Sequence, residues 1–238
     1  MLKKLVISLS LTLGLFVNIT GNCIAEENRM FQEQLEQFQK QILIEESKQN
    51  LSTQEKKLLK NVRTYLFEYA QFDKAIDELS QLIKLKSNYV NAYKIRGFVY
   101  LFGTQQYNKA IADFNKAIEL EPNCLEAYNA IGVAYLVKQE FQKALENFNK
   151  AIEINPDFLD AYNNRGWTYL LNEEYDKAIV DFTKSIQLNP FFIKAYNNRG
   201  LAYRNKGEAV KAKQNFDIAN YLINLIDISK SADSFRDI

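Results

Sequence analysis

The chain has 238 residues, 47% of them apolar and 25% charged, a globular balance that excludes a disordered chain. Thirty basic against 29 acidic residues leave a formal charge of +1, with no excess to meet a nucleic-acid backbone. With no histidine, Ser-His and Cys-His nucleophiles and histidine metal sites are excluded, and the scarcity of glycine (8) and proline (3) favours helices over short strands.

The first element read is residues 1–25. Lys3 and Lys4 precede an apolar run from Leu5 to Val17, and Cys23-Ile24-Ala25 precedes Glu26. That run is too short to span a bilayer and suits a cleaved export signal, so the mature protein is expected to be periplasmic or secreted. A short uncleaved anchor is the alternative. Lipid attachment at Cys23 would be the route to a membrane, although Asn22 stands where a lipoprotein signal expects a small residue. Cleavage after Ala25 leaves Cys124 as the one cysteine, in an inter-helix turn, with no intramolecular disulfide to form.

Residues 26–55 read as an amphipathic N-terminal helix, rich in Gln and Glu over 28–49, with Phe31, Leu35, Phe38 and Ile42 as its apolar stripe. The stripe is expected to pack against residues 56–89; pairing with a second chain, giving a homo-oligomer, is the other reading. Ser52 and Glu55 are spaced as a capping box. Residues 56–89 hold Phe72, Ala75, Leu79 and Leu82 at one-face helical spacing, without a glycine and with Ser87 in the place of a later proline.

From residue 90 the chain repeats itself. Units at 90–124, 125–158, 159–192 and 193–228 place Gly97, Gly132, Gly166 and Gly200 at spacings of 35, 34 and 34. Pro122, Pro156 and Pro190 recur at spacings of 34. Within a unit, Tyr128, Gly132 and Tyr135 share one helical face, as do Phe141, Ala144, Phe148 and Ala151 on a second helix. Each unit therefore predicts a helix pair, closed by a proline that stops the second helix. The first clear copy has one extra residue, assigned to the Phe102–Gln106 turn at Gly103. The last unit has Asn224 for its proline, so its second helix is expected to run on through Tyr221, Leu222, Leu225 and Ile226 and cover the exposed end, before a polar tail over 229–238.

This pattern resembles the tetratricopeptide repeat (TPR) family. The family's succession of aromatic, Gly, Tyr, Ala, aromatic, Ala and Pro appears here as Tyr162, Gly166, Tyr169, Ala178, Phe182, Ser185 and Pro190, and the likeness covers about 90–224. Residues 56–89 then read as a degenerate first repeat. The resemblance implies an all-α, right-handed solenoid of helix-turn-helix repeats. One departure is the residue before the glycine, leucine in the family and here Arg96, Ile131, Arg165 and Arg199. An arginine there can lay its stem along the core with its head in water.

The family's first helices line a concave groove that binds a peptide or a partner's helix, and matching positions here form four rows. They are Lys94, Phe98, Leu101 and Phe102; then Asn129, Val133, Leu136 and Val137; then Asn163, Trp167, Leu170 and Leu171; and last Asn197, Leu201, Arg204 and Asn205. Their apolar members read either as an exposed binding strip or as packing between neighbouring first helices. Asn129, Asn163, Asn164, Asn197 and Asn198 could hold a peptide main chain or be plain polar surface. No phosphate-binding loop is present, and Glu173-Glu174 falls in a turn. The chain reads as an exported adaptor without catalytic residues, metal or cofactor; a self-assembling structural protein is the alternative.

Overall fold

The computed structural model describes residues 39, 40, 42–48 and 50–234, with side chains through Leu225. Residues 1–25, Phe31, Leu35 and Phe38, and the last four residues lie outside the described set, so the export signal and most of the amphipathic stripe do too. Among the described residues there is no strand; helices succeed one another in packed pairs, the all-α arrangement expected. No helix among them is long and apolar enough to cross a membrane. The chain divides into two compact units, Met1–Pro122 and Asn123–Ile238.

In the first unit a short helix over 42–47 (α1) leads to α2 (Thr53–Arg63), α3 (Phe72–Leu85), α4 (Val90–Phe98) and α5 (Tyr107–Leu120). α2 starts at the expected capping box: Ser52 Oγ accepts from the Glu55 amide, and Glu55 accepts from the Ser52 amide. α2 and α4 each end in a π-helical turn, Thr64–Glu68 and Val99–Gly103. The extra residue is thus absorbed inside the first helix, not in the Phe102–Gln106 turn. Gly103 is needed for another reason. A Cβ there would stand 2.7 Å from the Phe72 ring.

The second unit comprises α6 (Leu125–Val137), α7 (Phe141–Ile154), α8 (Leu159–Leu171), α9 (Tyr175–Leu188), α10 (Ile193–Asn205) and α11 (Ala209–Ser234). The helices of each pair meet where a glycine admits a phenylalanine. A Cβ on Gly132 would lie 2.5 Å from the Phe148 ring, and one on Gly166 2.9 Å from that of Phe182. Phe148 and Phe182 are fully buried, as is Phe114 opposite Gly97 in the first unit. The degenerate pair solves the same contact differently, with Val62 and Leu79 at the corresponding positions, both fully buried. Between pairs, the Asn155 and Asn189 side chains accept from the Asp157 and Phe191 amides and hold the Asn-Pro turns.

The turn within each pair needs one residue in the left-handed region: Ala70, Gln105, Gln139, Glu173 and Gly207. Only the last is glycine. An L-residue there costs about 1–2 kcal/mol, while glycine costs about 0.5–1 kcal/mol in chain entropy. Gln139→Gly and Glu173→Gly, at exposed positions, should each stabilise the chain by about 0.5–1 kcal/mol in urea unfolding. No change would mean that the side chains contribute more than the backbone strain.

α11 differs from α7 and α9 on two faces. Its Leu222 is buried with Ile193 and Ala219, but Tyr221 and Leu225 are 62% and 40% exposed, so the expected cover over the end is only partial. Its helical backbone continues to Ser234, through most of the segment read as a polar tail. On its other flank stand Lys213, Asp217 and Asn220, all exposed. The same register in α9 holds Ile179, Thr183 and Ile186, and in α7 Leu145, Asn149 and Ile152.

Candidate functional site

The four rows fall on first helices, one in the first unit and three in the second. In the first unit Leu101 is buried at 1% exposure, while Lys94, Phe98 and Phe102 are half-buried. Phe98 stacks on Phe102 and meets Phe114 edge-on, so its ring belongs to the α4–α5 contact as well as to the surface.

In the second unit the rows split by depth. Leu136, Leu170 and Leu201 are buried, whereas Val133, Val137, Trp167 and Leu171 are half-buried on the neighbouring helices α6 and α8. Val133, Trp167 and Leu171 pack on the cluster of Leu136, Ala144 and Phe148. Their inner edges are therefore core and their outer edges surface, which joins the two readings of the strip. Arg204 and Asn205 are exposed at the end of α10.

The asparagines bond chiefly to each other. The Asn164 amide donates to Asn129 Oδ1 at 3.1 Å and that of Asn198 to Asn163 Oδ1 at 3.0 Å, each across two repeats. Asn163 and Asn198 are buried, and Asn129, Asn164 and Asn197 half-buried. The ladder spends these amide groups on holding first helices in register, and only its half-buried edges face outward. One turn before the ladder, Glu126, Asp160 and Lys194 share a register that no motif in the sequence singles out.

The arginines are not wet-headed. Arg96 donates to both oxygens of Asp113, at 2.8 and 2.7 Å, and to Ser80 Oγ at 2.9 Å. Arg165 does the same with Asp181, at 2.8 and 2.7 Å, and reaches Asn149 Oδ1 at 2.6 Å. Arg199 donates to Asn215 and to Thr183. Each fork ties its own second helix to the preceding one. Hydrogen bonding to Asp113 raises the Arg96 pKa above its ordinary value, against burial. Burial pushes the Asp181 carboxyl up, against the pull of Arg165. The signal available in the sequence was the residue before each phenylalanine: Asp113, Asp181 or Asn215 opposite an arginine, and Asn147 opposite Ile131.

Among the described residues no cluster of side chains is arranged to hold a metal ion. Family models described as tetratricopeptide repeat match residues 125–158, 159–192 and 182–214, and one described as TPR repeat matches 101–139. Among curated proteins none matches. A crystal structure of MamA is 31% identical with a TM-score of 0.62, the likeness covering 70% of this chain and 96% of that one. A second MamA crystal structure is 30% identical, TM-score 0.61, over 72% and 93%. MamA from Desulfovibrio magneticus RS-1, at 21% identity and TM-score 0.64, covers 73% and 97% and speaks for the fold alone.

Proposed function

Because the chain belongs to the tetratricopeptide repeat family, we propose that it is a protein-interaction scaffold that grips a peptide or partner helix along the first-helix face of its second unit. The observation that carries this is the strip of Val133, Val137, Trp167 and Leu171. These apolar side chains keep their outer edges in solvent although the Gly132–Phe148 and Gly166–Phe182 contacts have already closed the pairs beneath them. Such a strip, flanked by the asparagine edges, offers a central anchor for an apolar side chain and polar contacts beside it. The export of residues 26–238 is part of the same proposal, with intact mass starting at Glu26 as its readout and an acylated start at Cys23 as the result against it.

Trp167 is the one tryptophan of the chain and reports on this face. Its fluorescence should be partly quenched by acrylamide in the free protein. A photocrosslinker at Val137 should capture a protein from native extract, and that protein, once purified, should shift the emission to the blue. Val133→Ser with Trp167→Ser should weaken its binding by more than about 2 kcal/mol, roughly 30-fold, with the helical circular dichroism kept. A tryptophan fully shielded before any partner is added, with unfolding of the serine variant, would make the strip core and remove the proposal.

A further inference from the structure

Ten large apolar side chains among the described residues are exposed, and four of them, Val210, Ile218, Tyr221 and Leu225, stand on α11. Their spacing puts all four within about 80° of one another around the helix, away from the buried Ala212, Ala219 and Leu222. The earlier second helices do not share this feature. The positions of Val210, Ile218 and Tyr221 are held by Asp176, Lys184 and Gln187 in α9 and by Gln142, Lys150 and Glu153 in α7, and α3 and α5 are polar at all three as well. The repeat therefore packs without apolar residues there, and those of α11 serve something other than its own pair.

α11 is also longer than its pair requires. α7 and α9 have 14 residues and α11 has 26, so residues 223–234 carry its backbone about 18 Å past the point where the others stop. Nine of those 12 residues are Ile, Asn, Asp or Ser, a composition that propagates a helix weakly unless packing supports it. In the sequence the apolar spacing runs on as well. Ile218, Tyr221, Leu225, Ile228 and Ala232 follow at steps of three, four, three and four. That alternation averages 3.5 residues, the period of a helix that lies along another helix.

Charge selects the occupant. Lys211 pairs with Glu208 at 2.6 Å and Lys213 with Asp217 at 2.7 Å, so neither lysine beside the stripe is left over for an anionic headgroup. Along α11, Lys211 and Lys213 come first, and Asp217, Asp227 and Asp233 outnumber Lys230 after them, for no net charge. Two such helices laid parallel would set lysine beside lysine, whereas laid antiparallel each basic start meets the other's acidic end. The surface is thus complementary to itself, as a two-fold interface requires. We propose that the stripe is covered by a second copy of this chain, the two α11 helices pairing antiparallel with Ile218 against the partner's Tyr221 and Gln214 against the partner's Leu225. Such a patch offers a few hundred Å² per chain, and two copies together on the order of 1,000 Å², the lower end for a specific interface. The dimer is accordingly a weak one, with a dissociation constant of about 1–100 μM. This face is separate from the strip around Trp167, and the proposal does not depend on that strip.

The test is sedimentation equilibrium of the full chain up to about 300 μM, where the mass should rise toward that of a dimer. Val210→Asp, Ile218→Lys and Tyr221→Gln together give α11 the residues that α9 carries at those positions. That variant should associate at least about 10-fold more weakly, with its helical circular dichroism kept. Should it lose its helical signal, Tyr221→Gln alone, at a position 62% exposed, serves in the same measurement. Orientation is read by oxidative crosslinking in a Cys23→Ser background, Cys124 being buried. Chains with Gln214→Cys and chains with Leu225→Cys should link when mixed, and neither should link by itself. A wild-type chain that stays monomeric, a dimer that the triple variant leaves intact, or a link formed by either cysteine variant alone overturns the proposal. So does a monomeric chain that floats with phosphatidylglycerol vesicles, which would assign the stripe to a membrane surface.

Discussion

Asp181→Ala should destabilise the chain by about 3–5 kcal/mol in urea unfolding, a large effect for a single side chain in a helical repeat. The Asp181 side chain is 4% exposed and takes both bonds of the Arg165 fork, whose own side chain is 20% exposed. Removing the carboxylate leaves a guanidinium between two second helices that keeps a hydrogen bond to Asn149 and its place over the Tyr162 ring but has no counter-charge in the fork. The pair itself is a different matter, since its Coulomb gain is largely offset by desolvation, as the upward push on the Asp181 carboxyl indicates. The protein contains the alternative solution, Ile131 opposite Asn147, where the asparagine amide turns back to the Lys143 carbonyl at 2.8 Å. Arg165→Ile combined with Asp181→Asn should therefore recover most of the loss. A double variant as unstable as Asp181→Ala would show that the fork, and not merely its missing half, holds the repeats together.

Phe148→Ala should cost about 3–5 kcal/mol, because a fully buried ring leaves a void against Gly132 that two paired helices cannot close. The reverse error is also costly. Gly132→Val sets a branched Cβ 2.5 Å from the ring position and should cost about 1–3 kcal/mol, less the few tenths that valine gains over glycine as a helix former. Val62 and Leu79 again show the matched answer, a larger residue on the first helix and a smaller one on the second. Gly132→Val with Phe148→Leu should be more stable than Gly132→Val alone, a coupling read from a double-mutant cycle. Additive losses would mean that the two side chains do not share the contact.

The repeat architecture was legible because its punctuation is chemical: a glycine where a ring must enter, and a proline where a helix must stop. The π-helical turn at Val99–Gly103 was not, since one extra residue gives no sign of whether a turn or a helix absorbs it. The left-handed residues were hidden by their identity, Gln105, Gln139 and Glu173, although they stand at 34-residue steps back from Gly207. The arginine forks were missed because the partner is 16 or 17 residues away on another helix, and single-helix periodicity does not see it. The candidate face was legible as a set of positions. Its depth was not: Leu170 and Trp167 sit three residues apart on one helix, yet one is buried and the other has an edge in water.

The polar flank of α11 bears on how such a protein can change in length. Arg165 and Arg199 bond to Asn149 and Thr183, so the stripes Leu145–Asn149–Ile152 and Ile179–Thr183–Ile186 form the seam that receives the next first helix. In α11 the seam reads Lys213–Asp217–Asn220, with Lys213 and Asp217 paired to each other at 2.7 Å. A duplicated copy of residues 159–192 inserted after residue 158 would meet an aliphatic seam on both sides and add one more rung to the asparagine ladder. The same copy placed after α11 would meet charge and amide, with no aliphatic pair to cover and no acceptor poised for its arginine except one already engaged. Duplication can thus lengthen this array from within, while three side chains close it to growth at that helix.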